Sequence, residues 1–171
     1  IPRKDDSNPT REYPMKTLSI VMLAGLLSAA PCLAEPDQHH HHGDDEVPSL
    51  LVLNQGAKWP VDEVLSAAML RLRAGLVRNL DAIHHKRFST PQYQQLAKKL
   101  QQEINHIVAN CDLTPEADAQ FHLILAAMLQ SQQAMATGDE ARQRQGAVHL
   151  FNALQRYPEF FKDDVFLPIE H

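Results

Sequence analysis

Residues 89–130 read STPQYQQLAKKLQQEINHIVANCDLTPEADAQFHLILAAMLQ, and their pattern decides the fold class. Ser89-Thr90-Pro91 is a helix start, a capping hydroxyl followed by proline in the first turn, where a missing N–H is no loss. Tyr93, Leu96, Leu100, Ile104, Ile107 and Cys111 then recur at three- and four-residue steps, the apolar stripe of an amphipathic helix. Thr114-Pro115 repeats the start signal. Phe121, Ile124, Leu125, Met128 and Met135 form the next stripe, and Gly138 ends it.

The same period extends in both directions. Upstream, Val61, Leu65, Met69, Leu72, Leu76 and Ile83 predict a helix over residues 62–86. Asp62 and Glu63 suit its N-terminus, Lys86 and Arg87 its C-terminus. Downstream, Ala147, Leu150, Phe151 and Leu154 predict a helix over residues 139–156, with Pro158 beyond its end. Four such helices joined by short links pack as an all-α, antiparallel up-and-down four-helix bundle. No strand pattern, glycine-rich phosphate loop or internal repeat competes. The bundle domain covers residues 50–171. Residues 50–53 are expected to dock on it, and the tail from residue 165 to fold back through Phe166 and Leu167.

Composition limits the function classes. The chain has 171 residues, 44% hydrophobic and 22% charged, which excludes collagen-like, low-complexity and wholly disordered chains. A net charge of −5 argues against charge-driven nucleic-acid binding.

Residues 1–14 precede the first methionine and read as an over-extended or non-native leader. From Met15 the order is Lys16, an apolar run over residues 18–30, and then Ser28-Ala29-Ala30-Pro31-Cys32-Leu33-Ala34. Basic, apolar, small: residues 15–34 read as a secretory signal peptide, cleaved after Ala34. The run falls short of the about 20 residues that span a bilayer, so the expected product is periplasmic, with no membrane attachment after cleavage. That product keeps one cysteine, Cys111, so no internal disulfide is available and stability must come from the core.

Residues 35–49 form a His- and Asp-rich linker with almost nothing apolar to bury, expected to be disordered. Within it, His39, His40, His41 and His42 stand beside Asp37, Asp44, Asp45 and Glu46. Imidazoles suit copper, nickel or zinc, so a low-specificity metal site in the tail is one reading. An inert solvated tail, or a tag remnant, is the other.

A second, weaker metal candidate lies where the two central helices meet. Asp118 and His122 share a helix face, Glu103 comes level with His122 if the hairpin is antiparallel, and Cys111 stands at the turn. The alternative is structural: Asn110 closes its helix, Asp118 pairs with His122, and Cys111 is a small buried residue. Other bundle chemistries fit poorly. Glu103-Ile104-Asn105-His106 is a single Glu-x-x-His, whereas a di-iron site needs two. Covalent haem attachment would need Cys-x-x-Cys-His. Met69 has no core histidine opposite it, because His149 lies off its own stripe, so Met69, Met128 and Met135 read as core filling.

Gly56-Ala57-Lys58-Trp59-Pro60-Val61-Asp62, and Asn110-Cys111-Asp112-Leu113-Thr114-Pro115-Glu116-Ala117-Asp118 with His122 following, resemble segments of a family of small proteobacterial periplasmic proteins, some labelled DnrO-like. The resemblance implies an exported helical domain behind a His-rich start, and no particular activity. The expectation for function is a periplasmic accessory protein that binds or buffers a transition metal through its tail. The alternative is a bundle that binds a protein partner or acts as a scaffold. No paired carboxylates, nucleophile–base set or cofactor motif points to an enzyme.

Overall fold

The computed structural model describes residues 50–170, which are mostly helical. The elements in chain order are β1 (Trp59–Pro60), α1 (Glu63–Val77), α2 (Leu80–His84), α3 (Thr90–Asn110), α4 (Pro115–Thr137), α5 (Glu140–Phe160) and β2 (Phe161–Lys162). The all-α expectation holds. The leader, signal segment, linker and histidine run fall outside the described residues.

Each long helix opens where a side chain relieves its unpaired N–H groups. The Asp62 carboxylate accepts from the Leu65 N–H at 2.7 Å. Gln92 accepts from both the backbone N–H and the hydroxyl of Ser89, at 2.8 Å each. The Thr114 hydroxyl caps α4 and the Asp139 carboxylate caps α5. α4 packs most extensively on α5, then α3 on α4 and α1 on α3. Between them runs a continuous core whose largest fully buried side chains include Tyr93, Tyr157, Phe121 and Phe161. Met69, Met128 and Met135 are wholly buried in it. α4 and α5 approach closely at Gly146, where a Cβ would stand 2.8 Å from the Ala134 Cβ and 2.9 Å from the Ser131 carbonyl oxygen.

Two of the helices differ from expectation. The first helix breaks after Val77 instead of running to Lys86. The Asn79 carboxamide donates to the Gly75 carbonyl, which an uninterrupted helix would offer to the Asn79 N–H. That N–H bonds Leu76 instead, tightening the turn. α2 then ends with Lys86 in the left-handed region, at φ 55°, and with bonds from Arg87 N to Ala82 O and Lys86 N to Ile83 O, a Schellman closure.

The last helix passes through Pro158 and ends at Phe160, not at Arg156. Proline removes one helical bond there, but it sits in the final turn, where the carbonyls need outside donors anyway. The Lys58 ammonium donates to the Pro158 carbonyl at 2.6 Å. Beyond the helix, β2 pairs in parallel with β1, Trp59 opposite Phe161, a contact that no alternating pattern announced. The tail is anchored by Phe166 and Ile169, whereas Leu167 is exposed. Before β1, Leu51 is buried and its flanking residues 50, 52 and 53 are exposed, with the Val52 N–H donating to Gln120 of α4 at 2.8 Å. No helix among the described residues is long and apolar enough to cross a membrane.

Candidate functional site

Two places on the contact between α1 and α5 concentrate chemistry. At the first, the start of α1 meets the end of α5 through carboxylates. Asp163 is buried, and accepts from the Ser66 hydroxyl at 3.0 Å and the Tyr157 hydroxyl at 2.9 Å. Asp62, besides capping α1, accepts from the Asp112 N–H at 2.6 Å and from the Cys111 thiol at 3.6 Å. The Tyr157 ring stacks on Phe161 and meets Phe166 edge-on. Burial pushes the Cys111 thiol up to about 12, reinforced by the Asp62, Asp118 and Asp112 carboxylates. Burial and Asp163 likewise raise the Tyr157 hydroxyl. Both groups therefore stay protonated and act as donors; a thiol that holds its proton is a poor nucleophile and a poor metal ligand. This is a structural junction.

The second place is open. The end of α1, α2 and the first half of α5 enclose a groove of about 560 Å³. Leu76, Val77, Leu80, Ile83, Ala147, Val148 and Phe151 form its apolar wall, and Asp81, His84, Arg144 and Glu170 contribute its polar rim. On α5 the lining recurs as Arg144, Ala147, Val148, Phe151, one face of the helix. Val77 and Val148 are each about two-fifths exposed, at 40% and 44%, so the wall faces solvent. A groove of this size, mostly apolar with a few polar groups, matches the general form of small-molecule sites. Sequence reading missed it. The available signal was apolar residues (Val77, Leu80, Val148) lying beside the core stripes.

The structure separates the residues expected to gather at the α3–α4 end. His122 does meet Asp118, its Nδ1 lying 2.9 Å from the Asp118 carbonyl and 3.3 Å from the carboxylate. Glu103 is turned to α1 instead: both its oxygens take Arg71, at 2.9 and 2.8 Å. Cys111 is turned to Asp62. Asn110 closes α3 by bonding the His106 carbonyl and ring, and His106 is exposed. Among the described residues, no three His, Cys, Asp or Glu side chains are placed to hold a metal ion. His39, His40, His41 and His42 lie outside the described residues.

No family model, curated protein or solved structure matches this chain.

Proposed function

We propose that the chain is an exported periplasmic accessory protein that works by binding rather than by catalysis, and that the groove between α1, α2 and α5 is its working surface. The carrying observation is an apolar groove beside a filled core, with Val77 and Val148 of its wall left open to solvent. The helices form an antiparallel up-and-down bundle whose first member is broken into α1 and α2. Support comes from Ser66 of α1 meeting Asp163 just beyond α5, while the other end of α1 lines the groove with the first half of α5. The occupant is a small lipophilic molecule, where the sequence offered a protein partner as its alternative reading. The resemblance to DnrO-like periplasmic proteins agrees with export.

Titrating the full chain with the neutral fluorescent probe N-phenyl-1-naphthylamine tests the groove. Saturable binding that Val148→Asp abolishes, with the melting curve kept, is the expected result. Binding unchanged in that variant would remove the groove from consideration.

A second activity rests on the histidine run alone. His39, His40, His41 and His42 bind copper, nickel or zinc weakly as neutral imidazoles, so affinity falls as pH drops from neutrality toward about 5. Replacing all four with alanine removes copper binding and leaves helical circular dichroism unchanged. Equal stoichiometry in the alanine variant would rule out the tail.

A further inference from the structure

The rim of the groove is charged asymmetrically, and that asymmetry selects an occupant. Arg144 lines the groove in the first turns of α5, one turn after Glu140, and both charges act on Tyr93 of α3, whose ring meets Phe88 at 4.8 Å. His84, the last residue of α2, stands at the same end of the groove. Arg144 makes no ion pair among the described residues, not even with Glu140 one turn earlier. The acid nearest on the chain to His84 is already engaged, since Asp81 binds Arg87 at 2.6 Å and His85 at 3.0 Å.

Glu170 stands at the opposite end. Its neighbour Ile169 is held by Gln155 through two bonds, one to its carbonyl and one from its N–H. Gln155 is eleven residues beyond Arg144 on the same helix, roughly 16 Å of rise. The groove thus carries the unpaired Arg144 guanidinium and His84 toward one end, an apolar middle, and the Glu170 carboxylate toward the other.

We infer that the groove takes a small lipophilic carboxylate, its head at Arg144 and His84 and its alkyl body along Val77, Leu80, Val148 and Phe151. This rests on the groove being the working surface. A guanidinium offers a carboxylate two parallel N–H donors, and the apolar wall beside it limits the water that would compete. Glu170 repels an anion from the far end and so fixes the direction of binding. Chain burial supplies affinity, and the head supplies selection.

Calorimetric titration of the full chain with decanoate, decanol and decyltrimethylammonium tests the inference. Decanoate should bind about tenfold more tightly than decanol, and the ammonium most weakly. Arg144→Gln, at an exposed position, should erase the decanoate preference and leave decanol affinity unchanged. Equal binding of decanoate and decanol, a preference for the ammonium, or a decanoate preference that survives Arg144→Gln would each overturn the carboxylate while leaving the apolar groove in place. If none of the three binds, and N-phenyl-1-naphthylamine binding survives Val148→Asp, the groove reading itself falls.

Discussion

The two ends of the α1–α5 contact are built from the same pair of helices and end in opposite states. At the junction end, Tyr157, Phe161 and Phe166 fill the space, and Asp62 and Asp163 satisfy the donors that packing traps. At the groove end the tail reaches only the rim, through Glu170, and leaves the apolar wall open. Val77 and Val148 stay half in water. The difference is one of supply. β2 and the tail cover the first end, and the break at Asn79 redirects α2 at the second. A helix that continued straight would have no such bend beside α5.

The contrast can be broken by substitution. Phe161→Ala at the junction should destabilise most, by about 3–5 kcal/mol, since it removes a fully buried ring and its stacking on Tyr157. Urea denaturation followed by circular dichroism reads it. A loss near zero would mean that β2 is only peripherally attached. Leu72→Ala, in the middle of α1 between the two ends, should cost about 2–5 kcal/mol, and a cost under about 0.5 would place the α1 stripe on the wrong face.

Cys111 sharpens the comparison through pH. Its thiol is raised in the folded state to about 12 from a usual value of 9.0, so folding favours the protonated form. That contribution is fully present below about pH 9 and is lost as pH rises toward 12. Stability should therefore decline across that window, and Cys111→Ser should decline less. Iodoacetamide at pH 8 should alkylate the folded thiol at least tenfold more slowly than the urea-unfolded one. Equal rates would show the junction to be open. The smallest effect belongs to the groove: Val148→Ala should shift stability by less than about 0.5 kcal/mol while weakening probe binding. A larger stability loss would make the wall part of the core.

Much of the fold was legible because stripes and caps are local. Ser89, Thr114 and Asp139 begin helices α3, α4 and α5 within a residue of where their chemistry suggests. The Asp118–His122 pair was legible for the same reason, as an i,i+4 spacing on one helix. Glu103 was not, because its partner Arg71 comes from α1, and only the crossing of α1 on α3 sets which turns face each other. The proline at 158 reads locally as a stop, yet a lysine a hundred residues earlier supplies the donor that lets the final turn close over it.

By itself, then, the chain determined an all-α domain, the identity of its core stripes and most of its helix starts. Those properties depend on neighbours three or four residues apart, and a helix brings such neighbours together whatever else the chain does. Tertiary structure decided the rest. It set the break at Asn79, the close approach at Gly146 and the fate of Glu103, and it made Cys111 a shielded donor. It also left an open groove with opposite charges at its ends. Each of these depends on the register between elements distant in sequence. That register is settled by three-dimensional packing of side chains, which no one-dimensional period encodes.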